Sequence, residues 1–313
     1  MAQAERSVYG LAGRGSGAGL IKYDRDISMP DSRRMGVTLQ QPIDWSAWLR
    51  RWDEQQTRYL PEREQRFQIM LDVLGEFLPD EFIALDLACG PGAISQRLLT
   101  RFPKARIIAI DLNPILLKLG REAVGTLDRR LRWVQGNLME SGWTAQIVEA
   151  LNLWGRTHVD AVLSTTALHW LPANDLISVY QQIGTLLRPG GVFLNGDHMA
   201  FEPALPSFRQ LARQSQEKRR REAFEMEGGE DYQTWWSAIE QEITTPDPAL
   251  QHLVDEHRQN EAARRHDFSE PIFAVHEAAL KESGFTEVGT IWQMMDNRIL
   301  LAIRGNEVEP IRV

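Results

Sequence analysis

Between residues 82 and 195 the chain alternates short apolar runs with amphipathic segments, and this alternation constrains the fold more than any other feature. The five runs have the length of buried strands and cover Phe82–Leu87, Arg106–Ile110, Leu131–Val134, Val159–Ser164 and Val192–Asn195. Helical patterns lie between runs, for example over Ile94–Phe102 and Asp175–Leu187. Strands joined by crossover helices form a parallel, doubly wound sheet. We therefore predict an α/β fold with a Rossmann-like sheet.

The segments around this region complete the predicted domain organisation. Residues 1–42 carry five glycines between positions 10 and 19 and no sustained period, which predicts a flexible N-terminal arm. Residues 43–200 form the predicted core. The part that follows is mostly helical and polar, so we predict a helical cap, or lid, over residues 201–268, inserted after strand five. Residues 269–313 are predicted to complete the core sheet with a helix and strands.

Composition and charge narrow the class of protein. The chain has 313 residues, of which 43% are hydrophobic and 25% charged, as in ordinary globular proteins. The formal net charge of -8 argues against nucleic-acid and membrane partners. No apolar run has the length of a membrane span or a signal peptide, so we expect a cytoplasmic protein. A single cysteine, Cys89, and the absence of an i, i+4 histidine pair predict no metal site.

The ends of the first three strands carry residues typical of a site for a nucleoside-like ligand. The first strand contains Asp86 and is followed by Gly90 and Gly92, where the backbone can approach a ligand closely. Asp111 closes the second strand and can accept hydrogen bonds from both hydroxyls of a ribose. Asn137 follows the third strand and can bond the exocyclic amine of adenine. Because an acid at the first strand favours positive charge, the expected ligand has a cationic amino-acid tail rather than a pyrophosphate.

In their order and spacing these motifs resemble those of the class I S-adenosylmethionine-dependent methyltransferases. Leu85–Gly92 is similar to the glycine-rich motif of that family, with Ala88 where glycine is commoner. Ile110–Pro114 is similar to the ribose motif. Gly136–Leu138 is similar to the adenine motif, with asparagine in place of the usual aspartate. Leu187–Gly191 is similar to the turn before the family's fifth strand.

The resemblance covers about residues 45–200 and resumes over Glu282–Arg304, where the family's reversed final strand would pair. It implies a mostly parallel sheet with an antiparallel final strand. It also implies S-adenosyl-L-methionine as cofactor, S-adenosyl-L-homocysteine as its product, and methyl transfer to a small molecule. Similar proteins often carry a tyrosine and an arginine before the first motif, which reach the methionine carboxylate. The cofactor-binding residues implied are Tyr59, Arg63, Arg66, Asp86, Ala88, Gly90, Gly92, Asp111, Leu112, Asn137, Leu138 and Thr165.

Candidate catalytic residues follow strands four and five, whose ends face the cofactor's methyl group in this family. His169 follows the fourth strand and His198 the fifth, so either imidazole could remove a substrate proton near neutral pH. Packing is the alternative role for His169. The candidate substrate-binding residues are Trp170, Asp197, Tyr232, Trp235, Trp236 and His276. For the aromatic residues of the cap, a place in the core is the alternative.

The sequence leaves the acceptor and the oligomeric state open. The acceptor nucleophile can be oxygen, nitrogen or carbon. One alternative function is non-methylating chemistry with the same cofactor, such as cyclisation. A second is cofactor binding without turnover. A third, methylation of a nucleic acid or a protein, is disfavoured by the net charge, and the basic run Lys218–Arg221 is expected to be a solvated helix face.

Overall fold

The computed structural model of the chain describes residues 42–263 and 271–305. Apart from residue 42, the predicted N-terminal arm lies outside the described residues. The last five residues of the predicted cap, 264–268, lie outside them as well.

In the described part of the chain, seven strands form one sheet in the order β3-β2-β1-β4-β5-β7-β6. The strands are β1 Ile83–Leu87, β2 Arg106–Asp111, β3 Leu131–Gln135, β4 Val159–Thr165, β5 Leu187–His198, β6 Phe285–Met294 and β7 Asn297–Arg304. The first five pair in parallel, and β7 runs antiparallel to both β5 and β6. This arrangement confirms the predicted α/β fold with its antiparallel final strand.

The helices cover both faces of the sheet and build the cap. They are α1 Trp45–Tyr59, α2 Arg63–Phe77, α3 Ala93–Arg101, α4 Pro114–Ala123, α5 Trp143–Asn152, α6 Ala173–Leu186, α7 Pro206–Arg220, α8 Tyr232–Thr244, α9 Gln251–Ala263 and α10 Phe273–Glu282. A six-residue π-helix, Arg221–Met226, continues α7. Helices α7, α8 and α9 occupy the predicted cap region between β5 and α10. No described helix is long and apolar enough to cross a membrane.

The hydrophobic core lies in two layers because the central strands are apolar on both sides. All five residues of β1 are buried, as expected of a parallel strand covered by helices on both faces. One layer packs α5, α6 and α10 against the sheet, and the other packs α2, α3 and α4. A third apolar cluster joins α1, α4 and α8. The cap is therefore packed onto the core through α1 and α4.

Three local differences separate the predicted elements from the observed ones. The apolar spacing over Leu60–Phe77 predicts a helix, which in the structure begins at Arg63 because Pro61 has no N–H to donate and disfavours helical geometry at Leu60. Strand β5 begins at Leu187 rather than Val192, so the predicted turn belongs to the strand. Helix α5, which crosses from β3 to β4, was not among the predicted helices.

Candidate active site

The loop after β1 holds its backbone in an unusual conformation next to the carboxyl edge of the sheet. Gly90 has φ 56° and Gly92 has φ 83°, in the left-handed region that glycine adopts without strain. A Cβ atom at Gly92 would also collide with the Trp133 ring. Ala88 has φ 52°, so an alanine stands in a conformation that favours glycine. The two glycines therefore allow the turn, and Gly92 also makes room for the Trp133 ring.

Asp86 lies buried beneath this loop and retains an unused acceptor. Its Oδ2 accepts a hydrogen bond of 2.7 Å from the Ser95 hydroxyl. Its Oδ1 is buried and has no hydrogen-bond partner among the described residues. Burial raises the pKa of Asp86 to about 7; the Ser95 hydrogen bond opposes the rise, and the charge of Asp111 adds to it. A buried carboxyl with a free oxygen fits the ammonium of an amino-acid tail.

Asp111 joins the end of β2 to the loop after β1. Its Oδ2 accepts a hydrogen bond from the Gly90 N–H and its Oδ1 accepts one from the Asn113 N–H, each at 2.7 Å. We call Asp111, Leu112 and Asn113 the ribose turn. The carboxylate lies at the strand end where the motif predicts it, beside the glycines.

Asn137 lies just beyond the end of β3, as predicted, and its side chain closes a local turn. Its Oδ1 accepts a hydrogen bond from the Met139 N–H at 3.0 Å, and its Nδ2 donates to Glu140 at 3.1 Å. Leu138 is partly buried against the core. The Gly136 N–H donates to the Asp111 carbonyl at 3.0 Å, which keeps the β2 and β3 ends adjacent.

Arg66 extends from α2 across the ends of three strands. Its guanidinium donates to Asn297 Oδ1 at 2.9 Å and to the Thr166 hydroxyl. The side chain is fully buried, and its Nε–H has no hydrogen-bond partner among the described residues. Burial lowers the pKa of Arg66 to about 10, with Asp197 opposing the change, so the group stays charged at neutral pH. A buried cation with an unused donor is suited to bind an anion.

The other two residues predicted to hold the cofactor carboxylate make different contacts. Arg63 forms an ion pair of 2.8 Å with Asp53 of α1 and lies over the ring of Phe67. The Tyr59 hydroxyl accepts a hydrogen bond from the Tyr232 N–H of the cap at 3.1 Å. The structure therefore brings Arg66 to the strand ends and uses Arg63 and Tyr59 in packing α1 and the cap.

At the end of β5, a buried carboxylate fixes a histidine that follows β4. Asp197 Oδ1 lies 2.6 Å from His169 Nδ1 and accepts the His198 N–H at 2.8 Å, while its Oδ2 accepts the His169 N–H at 3.0 Å. Burial by itself would raise the pKa of Asp197, but the charges of His169, Arg66 and His198 and the His169 hydrogen bond hold it well below its usual range. An ionised carboxylate can only accept, so Nδ1 of His169 carries the proton. In the neutral form of the ring, the lone pair then lies on Nε2.

Asp197, which was predicted to bind substrate, is fully buried, and its carboxylate contacts both histidines. These contacts fix the orientation of His169. The His198 ring lies 6.1 Å from the His169 ring, and its Nδ1 lies 3.6 Å from Asp296 Oδ2. Trp170 packs beside His169 with 47% of its surface exposed, at the rim of the site. The two predicted catalytic histidines therefore lie together.

The tryptophans predicted to line a substrate pocket belong to the core. Trp235 is 0% and Trp236 4% exposed, and both pack in the cluster that joins α1, α4 and α8. The Trp235 ring lies 4.8 Å from that of Trp52. Tyr232 lies at the edge of this cluster, 5.9 Å from the Trp236 ring. A helical stripe of aromatics fits a pocket wall and a core face equally well, and the packing of α8 onto α1 makes it a core face.

His276 was also predicted to contact substrate, and the structure buries it completely on α10. Its Nδ1 lies 2.6 Å from the Tyr180 hydroxyl. Burial lowers the pKa of His276 to about 4, with Asp197 opposing the change, so the imidazole is neutral at pH 7. His276 thus belongs to the layer behind Asp197.

Sequence reasoning missed several residues of the site. Thr166 and Asn297 hold Arg66, and Ser95 holds Asp86. No motif marks them, because each is identified by the side chain it faces. Among the described residues no cluster of three or more His, Cys, Asp or Glu side chains could hold a metal ion.

The mostly parallel sheet, the left-handed glycine loop after β1 and the acid closing β2 agree with the fold that the motifs predict. Comparisons with known proteins agree. Residues 84–191 match the family model of a methyltransferase domain. These residues therefore form a methyltransferase domain, in agreement with the family and the cofactor predicted from the motifs.

Two curated relatives are similar over part of their length. A trans-aconitate 2-methyltransferase of Azoarcus sp. (strain BH72) is 30% identical over 142 residues, 45% of this chain and 48% of the relative. A malonyl-[acyl-carrier protein] O-methyltransferase of Xylella fastidiosa (strain M23) is 31% identical over 135 residues, 42% of this chain and 40% of the relative. The chain thus spans about half the length of the curated relatives it matches.

Among solved structures, magnesium protoporphyrin IX methyltransferase from Synechocystis PCC 6803 with bound S-adenosylhomocysteine is similar with a TM-score of 0.49 and 12% identity, over 83% of this chain and 95% of that one.

Proposed function

We propose that the whole chain is a cytoplasmic enzyme that methylates a small molecule whose nucleophile must first lose a proton. The observation that carries this proposal is the Asp197–His169 pair, in which a buried carboxylate fixes an imidazole with Nε2 as its base. Asp197 lies at the end of β5 and His169 follows β4, on the other side of β1 from the ribose turn. Two relatives bear the names of trans-aconitate and malonyl-[acyl-carrier protein] methyltransferases, which supports an acceptor outside the nucleic acids.

The cofactor half of the proposal assigns one polar group to each part of S-adenosylmethionine. Asp86 binds the ammonium through its free oxygen, Arg66 binds the carboxylate, and Asp111 binds the ribose hydroxyls. The glycine loop with Ala88, Gly90 and Gly92 gives the backbone close access. When bound, S-adenosylmethionine supplies an electrophilic methyl group on its sulfonium.

The remaining implied contacts line the same edge of the sheet. They are Leu112 in the ribose turn, Asn137 and Leu138 after β3, and Thr165 at the end of β4. Their place at the strand ends supports a role in binding the adenosine and the methionine tail.

The acceptor half of the proposal follows from the state of the Asp–His pair. As the acceptor's nucleophile attacks the methyl carbon, Nε2 of His169 takes up its proton. The charge of Asp197 stabilises the imidazolium that forms, as in other carboxylate–histidine pairs. His198 and Trp170 flank this base, and we assign them contacts with the acceptor. Positioning of the two reactants supplies the rest of the acceleration.

The test is incubation of the purified chain with methyl-labelled S-adenosylmethionine and a panel of small hydroxyl, carboxylic acid and amine compounds. The expected result is one labelled acceptor and S-adenosylhomocysteine in equal amounts. Consumption of the cofactor without a labelled acceptor would identify non-methylating chemistry. Tight binding without any consumption across the panel would identify a binding protein.

A further inference from the structure

Helix α9 of the cap contacts the same edge of the sheet as the proposed adenosine site. Its His257 meets Asn113 of the ribose turn, with 2.9 Å between His257 Nδ1 and Asn113 Nδ2. Its Glu256 accepts a hydrogen bond from Gln135, the last residue of β3. These contacts place α9 across the ends of β2 and β3. The cap therefore meets the cofactor half of the site directly.

The direction of the bond between Asn113 and His257 is fixed by the start of α4. Asn113 is the N-cap of α4, and its Oδ1 accepts hydrogen bonds from the N–H groups of Ile115 at 3.0 Å and Leu116 at 3.1 Å. The amide oxygen is thereby assigned, so the atom facing His257 is the amide nitrogen, which only donates. Nδ1 of His257 must then accept, and the ring proton lies on Nε2.

The His257 ring is held on its other sides by the cap. It stacks on Trp236 with ring centroids 4.0 Å apart and planes 16° apart. Its Nε2 lies 3.8 Å from Glu240 Oε1, and the side chain is almost completely buried. The imidazole is therefore a fixed acceptor aimed at the ribose turn.

Asn113 connects this acceptor to the groups proposed to bind ribose. Its backbone N–H donates to Asp111 Oδ1, while the Gly90 N–H donates to Asp111 Oδ2, each at 2.7 Å. The Asp111 carboxylate is thus shared between the glycine loop and the residue that His257 holds. We propose that His257 is a positioning residue for the cofactor: through Asn113 it fixes Asp111, and it makes the helical cap part of the adenosine site. This inference rests on the proposed function.

The test compares the affinity for S-adenosylhomocysteine, measured by calorimetry, among variants of the full chain. Asn113→Ser keeps an N-cap oxygen for α4 and removes the amide that reaches His257. His257→Leu removes the acceptor and keeps an apolar side chain against Trp236. Each substitution is expected to weaken binding about tenfold, the effect of one partly buried hydrogen bond. The double variant is expected to lose about tenfold as well, because both changes break the same link.

Two further variants separate positioning from folding. His257→Asn keeps an acceptor close to the position of Nδ1 and is expected to restore most of the affinity. Gln251→Ala, on the exposed side of α9, is expected to leave affinity unchanged. Thermal melts identify any variant that fails to fold. If His257→Leu does not fold, the affinity of Asn113→Ser by itself decides whether the link positions the cofactor. Unchanged affinity in Asn113→Ser and His257→Leu, or losses that multiply to about a hundredfold in the double variant, would overturn the inference.

The Asp111→Ala variant distinguishes a failure of the proposed cofactor site from a failure of the role proposed for His257. Unchanged affinity in that variant contradicts the proposed ribose site itself. A loss in Asp111→Ala with no loss in the Asn113 and His257 variants contradicts only the role of the cap.

Discussion

Asp197 and His169 are joined by two hydrogen bonds, although 28 residues separate them in the chain. One bond comes from the backbone N–H of His169, at 3.0 Å, and the other from its ring Nδ1, at 2.6 Å. Because the main chain and the ring of one residue are held by one carboxylate, the imidazole has a single orientation. The Nε2 lone pair therefore has a fixed direction away from Asp197.

This relationship predicts the effect of removing either partner. His169→Gln is expected to lower turnover of the acceptor about 10²–10⁴-fold, the usual contribution of a positioned base. Asp197→Asn is expected to act similarly, because both carboxylate oxygens accept backbone N–H groups and an amide nitrogen in either place would face a donor, which disturbs the orientation of His169. Affinity for S-adenosylhomocysteine, measured by calorimetry, should stay near that of the unmodified protein. His158→Gln, an exposed histidine before β4, is the control.

Wild-type turnover in both variants would contradict the role of the pair as a base. The acceptor would then be a group already ionised at neutral pH, such as a carboxylate, and His169 would serve packing.

Asp86 predicts a pH dependence of stability. Its pKa is raised from 3.8 to about 7 by burial, so between these pH values the folded state keeps a proton that the unfolded chain releases. The Asp86 contribution to the free energy of unfolding is therefore present below about pH 4 and is lost as pH rises to about 7. Asp86→Asn should remove this dependence, because the amide is neutral at every pH.

The measurement is urea unfolding of both proteins at pH 5 and pH 8 without cofactor. Asp86→Asn should be more stable than the unmodified protein at pH 8, and the difference should shrink at pH 5. The same variant should bind S-adenosylmethionine more weakly, since it lacks the charge proposed for the ammonium. An equal stability difference at both pH values would show that Asp86 is already ionised in the folded protein.

The strands and the cofactor edge could be predicted from the sequence because both depend on local pattern. Strands buried on both faces appear as continuous apolar runs, and a parallel sheet brings their carboxyl ends to one edge. These two facts are enough to predict that Asp86, Asp111 and Asn137 lie close together at this edge. The sequence also shows the two differences from the family motifs, which are Ala88 in place of glycine and Asn137 in place of aspartate.

The rest of the site depends on which side of each helix faces the sheet. The local sequence pattern does not determine this orientation. Arg63 and Arg66 lie one turn apart on α2, and only the rotation of that helix against the sheet sends Arg66 to the strand ends. The bond between Asn113 and His257 joins residues 144 positions apart. Such pairings are set by tertiary packing, which the sequence does not display.

The backbone conformation of Ala88 predicts that a glycine at this position stabilises the protein. Its φ of 52° puts a side chain in the left-handed region, at a cost of about 1–2 kcal/mol for a residue other than glycine. Ala88→Gly removes this strain and adds some entropy to the unfolded chain, so the free energy of unfolding should rise by about 1 kcal/mol. Ala145→Gly, at an exposed position of α5, should instead lower it by about 1 kcal/mol. Urea unfolding measures both, and a loss of stability in Ala88→Gly would contradict the assigned strain.

The last prediction separates an aromatic residue of the core from one at the rim of the site. Trp235 is completely buried between α1, α4 and α8, so Trp235→Ala should lower the free energy of unfolding by about 3–5 kcal/mol. Trp170 is half-exposed beside His169, so Trp170→Ala should change stability little and raise KM for the acceptor. Urea unfolding and steady-state kinetics on both variants give the comparison. The packing of α8 onto α1 requires this contrast, because a pocket-lining Trp235 would be exposed and its loss would change KM without a large loss of stability.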